Sequence, residues 1–122
     1  MKILLIEDEK MLADSLKTML IGKGFQVETA YDGENGAEYA LLGIYDLLIL
    51  DVMMPKLNGY EATKAIRSLR NHPDADTIPI IAMTANAFDE DRKAATDCGM
   101  NGFISKPINM EEVIEVLQSV LL

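Results

Sequence analysis

The sequence predicts an α/β domain, a five-stranded parallel sheet with helices on both faces. Three observations lead there. Five short apolar runs alternate with five longer stretches of helical periodicity. Two of the runs, residues 47–50 and 78–83, are continuously apolar, as strands covered on both sides are. The chain has 122 residues, one domain's length, and 49% of them are hydrophobic, enough for a packed core and too many for a disordered tail.

Ile3, Leu4, Leu5 and Ile6 make the first strand. Met11, Leu12, Leu16, Met19 and Leu20 then share a helical face, and Gly22 and Gly24 close that helix. Residues 25–30 alternate in polarity, which suits an edge or half-exposed strand. Asp32 and Gly33 open a second helix with Ala37, Ala40 and Leu41 as its inner side. After the strand at 47–50, Asn58 followed by Glu61 reads as a cap with its capping-box acid, starting a third helix. The strand at 78–83 leads to the same pattern at Asn86, Phe88 and Asp89. Residues 102–105 form a short fifth strand. Asn109 and Glu112 open a fifth helix with the inner stripe Val113, Ile114, Leu117 and Leu121. Residues 71–77 are the most linker-like stretch but are too short to divide domains, so residues 1–122 are expected to be a single domain.

The net charge is −9, with acid concentrated towards both ends of the sequence. Such a chain repels phosphate backbones and anionic bilayers, which argues against direct nucleic-acid binding and against a membrane surface. No run approaches the roughly 18 apolar residues of a membrane span. The apolar start is cut off by Glu7, Asp8 and Glu9 too soon for a signal peptide, so the expected compartment is the cytoplasm. A single cysteine, Cys98, forms no internal disulfide and fits a reducing compartment.

In parallel sheets of this kind the site lies outside the carboxyl ends of the strands. Glu7 and Asp8 follow the first strand, Asp51 the third, Thr84 the fourth, and Lys106 with Pro107 the fifth. If strands one and three are neighbours, three carboxylates converge and repel one another. A hard divalent cation with oxygen ligands, Mg²⁺ above all, would make that arrangement tolerable, and Lys106 adds a fixed positive charge. One chemistry uses the whole set. A carboxylate that attacks a phosphoryl group becomes an acyl phosphate, and the transferred oxygens then need a metal, a cation and a hydroxyl. Asp51, at the end of the most buried strand, is the best nucleophile, and Glu7 and Asp8 are better placed as metal holders. Taken singly, each residue has a plainer role: Asp8 a helix cap, Asp51 a turn, Thr84 a loop residue, Lys106 a solvated lysine. Their joint placement at strand ends is what favours the chemistry. His72 reads as a loop residue and Cys98 as a small buried one. Lys64, Arg67 and Arg70, like Glu111, Glu112 and Glu115, read as solvated helix faces.

The ordered set Ile6-Glu7-Asp8-Glu9, Leu50-Asp51-Val52-Met53-Met54-Pro55 with Gly59, Met83-Thr84-Ala85 and Lys106-Pro107 resembles the receiver domains of two-component response regulators, over essentially the whole chain. The resemblance implies a flavodoxin-like strand order 2-1-3-4-5. It implies that Asp51 is the phosphoacceptor, charged by a histidine kinase or a histidine phosphotransfer protein. Asp8, Asp51 and the backbone carbonyl of Met53 are implied Mg²⁺ ligands, with Glu7 acting through water. Thr84 is implied as the switch hydroxyl, Phe103 as the switch aromatic, and Lys106 as the phosphoryl-binding cation, with a cis bond to Pro107. Met53 and Asn86 sit where such domains tune dephosphorylation. Phosphorylation would then shift the population of the face made by the fourth helix, fifth strand and fifth helix, to control an output domain or partner. Phosphorylation-dependent homodimers are compatible with this picture. The domain would be a signalling module rather than an enzyme, catalysing only its own aspartyl phosphorylation and dephosphorylation. Residues 83–87 resemble receivers of hybrid kinases and phosphorelays, whereas the first half resembles receivers that precede DNA-binding domains.

Rivals fit less well. A Mg²⁺-dependent phosphohydrolase or a toprim-type nuclease wants a second acid two residues after the nucleophile, where this chain has Met53. A nucleotide-binding fold needs a loop after the first strand that welcomes phosphate, and Glu7, Asp8 and Glu9 repel it. No P-loop motif is present. A docking module without chemistry tends to lose the acids or the lysine, and this chain keeps all of them.

Overall fold

The computed structural model describes residues 1–52, 58–68, 77–84, 89–106 and 108–121. Strands and helices alternate from end to end: β1 (Lys2–Ile6), α1 (Lys10–Gly22), β2 (Gln26–Ala30), α2 (Gly33–Ala40), β3 (Leu47–Asp51), α3 (Gly59–Arg67), β4 (Ile80–Thr84), α4 (Asp89–Asp97), β5 (Gly102–Ser105) and α5 (Met110–Leu121). The strands pair in parallel in the order β2-β1-β3-β4-β5. This is the expected class and order. The two continuously apolar runs are indeed covered on both faces, since every residue of β3 and β4 is buried. The alternating strand β2 lies at an edge.

Because side chains alternate along a strand, the sheet splits the core in two. Leu4, Ile6, Leu48, Leu50, Ile80 and Ala82 face one side, against Ala62 and Ile66 of α3, Ala95 of α4 and Cys98 just after it. Ile3, Leu5, Leu47, Ile49, Ile81 and Met83 face the other, against Ala13, Leu16 and Leu20 of α1 and Val113 and Leu117 of α5. The helix α2 packs closely on the sheet through Gly36. A Cβ on Gly36 would lie 2.4 Å from Ile6 Cδ1, so only a glycine permits this approach.

Helix starts follow their caps. Asp32 Oδ1 accepts from the Asn35 amide, Asn58 Oδ1 from Glu61, and Asn109 Oδ1 from Glu111 and Glu112. Inner faces are less well foreseen. Met11 and Met19 of α1 are exposed and Ala13 is buried in their place, and Leu41 is exposed just beyond α2. Apolar periodicity marks a wide stripe, whereas the sheet covers only its centre. Several expectations lie outside the described residues: the Met53 carbonyl, Asn86 and Phe88 before α4, the Lys106–Pro107 bond, and the segment containing His72. Among the described residues no helix is long and apolar enough to cross a membrane.

Candidate functional site

The parallel register decides what meets at the carboxyl end of the sheet. Ile6 pairs with Leu50, Asp51 with Met83, and Thr84 with Ser105. The ladder then runs one residue beyond the strands. The Glu7 amide donates to Ala30 O at 3.0 Å, the Val52 amide to Met83 O at 3.0 Å, and the Lys106 amide to Thr84 O at 2.8 Å. Rigid backbone therefore delivers Glu7, Asp51, Thr84 and Lys106 to one rim.

Carboxylate oxygens of Glu7, Asp8 and Asp51 all lie within 4.8 Å of one another. Lys106 Nζ stands 2.9 Å from Glu7 Oε1 and donates to Asp51 Oδ2 at 3.2 Å. Glu7 is wholly buried, Asp51 and Thr84 nearly so, while Asp8 is exposed at the mouth. The N-cap of α1 is Glu9, so Asp8 is not its cap. Phe103 stands apart from the carboxylates, on β5 opposite Ala82, and is half-buried.

Burial first, then the neighbouring Asp51 and Asp8, push the Glu7 carboxyl up to about 8 against the opposing pull of Lys106 and the Glu9 amide. Burial alone would lower the Lys106 ammonium, but Glu7 and Asp51 outweigh that and hold it above its ordinary value. The two shifts differ in what they say about the pair. The ammonium gains from its acids, whereas Glu7 loses, because one cation cannot offset burial and two further carboxylates. Glu7 Oε1 is paired with the Lys106 ammonium by charge, but among the described residues this buried oxygen has no aligned hydrogen-bond donor. An underneutralised set of hard oxygen donors with one unsatisfied atom fits a divalent cation of the Mg²⁺ kind.

The N-terminus of α3 closes one wall. A Cβ on Gly59 would lie 2.6 Å from Asp51 O and 2.8 Å from Val52 Cα, so the helix reaches the acid's own backbone only through glycine. Three residues escaped sequence reasoning. Arg92 of α4 holds its Cζ 4.9 Å from the Phe103 ring centroid. Arg67 of α3 donates to Gly99 O, Ile78 O and Asn101 Oδ1, at 2.7–3.1 Å. Glu112 Oε1 accepts from the Ser105 amide at 3.0 Å, beside Lys106. Arg67 and Glu112 read as solvated charges and Arg92 was not singled out, since nothing local in the sequence reveals the distant group that each reaches.

The chain is similar to known proteins in both sequence and fold. The sequence profile described as the response regulator receiver domain matches residues 3–118. The chain is 38% identical over 114 residues to the transcriptional regulatory protein DltR of Streptococcus agalactiae, covering 93% of this chain and 49% of that protein. It is 38% identical over 120 residues to the response regulator ArlR of Staphylococcus aureus, covering 98% of this chain and 52% of that one. The chain thus spans about half the length of these relatives. Among solved structures it resembles the chemotaxis protein CheY4 of Vibrio cholerae, with a TM-score of 0.90 and 30% identity over 98% of this chain and 97% of that one. It also resembles the receiver domain of the sensor histidine kinase PA1611 of Pseudomonas aeruginosa, with a TM-score of 0.87 and 34% identity over 98% and 96% of the two chains. That structure has a magnesium ion coordinated in its active-site cleft.

Proposed function

The chain belongs to the response regulator receiver domain family, and from that premise we propose that Asp51 is its phosphoacceptor, charged by a histidine kinase or a histidine phosphotransfer protein. The observation that carries this is the setting of Asp51. It is a buried carboxylate at the end of β3, 3.2 Å from the Lys106 ammonium and within 4.8 Å of two further acids.

A carboxylate oxygen of Asp51 attacks phosphorus in line with the donor's P–N bond. As the new O–P bond forms, that bond breaks and its electron pair leaves with the imidazole nitrogen. Lys106 stays protonated, orients Asp51 and then pairs with a phosphoryl oxygen. The Thr84 hydroxyl, carried at the same rim, donates to another phosphoryl oxygen. Asp8, Asp51 and the Met53 backbone carbonyl, with Glu7 through water, would hold Mg²⁺, which when bound neutralises charge on the transferred group. The acid cluster and the magnesium ion in the PA1611 receiver support that reading. Thr84 and Phe103 then shift together and remodel the face made by α4, β5 and α5 for an output domain, a partner or a second copy of the chain. We read residues 1–122 as one cytoplasmic signalling domain whose only catalysis is the turnover of its own acyl phosphate.

Intact-mass measurement after incubation with Mg²⁺ and acetyl phosphate tests the assignment. One phosphoryl adduct is expected, absent with a chelator and absent from Asp51→Asn. An adduct of equal yield on Asp51→Asn would overturn it.

A further inference from the structure

The geometry points to Arg92 of α4 as a positioning residue that restrains the ring of Phe103, so that release of this contact is part of the switch. The inference rests on the reading of Phe103 as the switch aromatic and adds the residue that holds it back.

Arg92 Cζ lies 4.9 Å from the ring centroid. A guanidinium within about 6 Å of an aromatic face is attracted by the ring quadrupole. Phe103 packs against the part of the core that contains Ala82, its partner across the ladder. On its other side Phe103, with Arg92, Met100, Asn101 and Val116, lines a depression of about 390 Å³ between α4, β5 and α5. The ring thus stands at a border, with open volume on the Arg92 side and packed residues on the other. Thr84 lies two residues beyond Ala82 on the same face of β4 and is buried. When the Thr84 hydroxyl moves to a phosphoryl oxygen, the ring can follow into the vacated space only by leaving the guanidinium.

The Arg92 contact therefore exists in one ring position and not in the other. A contact made in only one of two states biases their equilibrium by its own strength. For an exposed cation–π pair that strength is roughly two- to fivefold in population. Arg92 has a second, opposite influence, because its charge also attracts an anionic phosphodonor. The two effects differ in sign, which makes them separable.

The test uses the full chain. Arg92→Met keeps the length and removes the charge, Arg92→Lys keeps the charge, and Phe103→Leu removes the ring. The first readout is NMR of ¹³C-labelled phenylalanine rings without donor or metal, with the Phe103 signals assigned by their loss in Phe103→Leu. Arg92→Met is expected to move these signals towards their position in the phosphorylated chain, and Arg92→Lys to leave them near the parent. The second is the initial rate of adduct formation from acetyl phosphate. Arg92→Met should be about two- to fivefold faster, Arg92→Lys close to the parent, and Arg92→Met without benefit when combined with Phe103→Leu. Phe103 signals left in place by Arg92→Met, or a change in rate that is the same in the Phe103→Leu background, would overturn the restraint. The underlying reading fails differently: in that case the Phe103 signals do not move when the parent chain is phosphorylated.

Discussion

Glu7 illustrates how one residue carries a cost that the site requires. Its carboxyl is pushed up to about 8 from 4.5, first by burial and then by Asp51 and Asp8. Between those values the folded chain keeps a proton that the unfolded chain has released. The metal-free chain is therefore expected to lose stability as pH rises from about 4.5 to 8, and to lose no more from this group above that window. Glu7→Gln keeps the shape and removes the titration. Urea midpoints measured across this range should fall for the parent and slope distinctly less for the variant, and identical slopes would count against the assignment. At this scale the sequence is informative where function depends on strand ends. Glu7, Asp8, Asp51, Thr84 and Lys106 each follow or end an apolar run, and the rim gathers them all. Arg92, Arg67 and Glu112 were not legible, because a long charged side chain finds its partner only through tertiary packing.

Among the elements, α2 meets the sheet through a glycine. The Cβ of a Gly36→Ala variant would press on Cδ1, Cγ1 and Cγ2 of Ile6, all closer than 3.0 Å, and Ile6 is wholly buried. Overpacking of this kind costs about 1–3 kcal/mol. A urea titration of Gly36→Ala should show a loss of that size, and a neutral substitution would mean that α2 can lift off the sheet freely. Caps and alternation located the helices and strands well, since both follow from local hydrogen bonding and period. The inner face of α1 was only partly legible. Met11 and Met19 satisfy the helical period as well as Leu16 and Leu20 do, yet both are exposed, because the width of the covered stripe depends on what lies opposite.

For the molecule as a whole, a divalent cation should act as a folding ligand. Mg²⁺ at a hundredfold excess over its Kd is expected to add about 2.7 kcal/mol of stability, read as a shift of the urea midpoint. Asp8→Asn should lose most of that shift while keeping the fold, because Asp8 is exposed and caps no helix. A parent chain whose midpoint ignores Mg²⁺ would argue against a preformed site. The global class was legible because five strands alternating with five helices leave few ways to cover a parallel sheet. The order β2-β1-β3-β4-β5 needed the family resemblance, since periodicity alone does not say which strands are neighbours. That order has a consequence for the nascent chain. Asp51 and Lys106 are 55 residues apart, and Lys106 follows β5, the last strand and an edge of the sheet. A polypeptide emerging from the ribosome possesses its acids long before it possesses their counter-charge. Only a chain that has docked β5 brings Lys106 beside Asp51, so the charge balance of the rim waits on the last-made strand of the sheet.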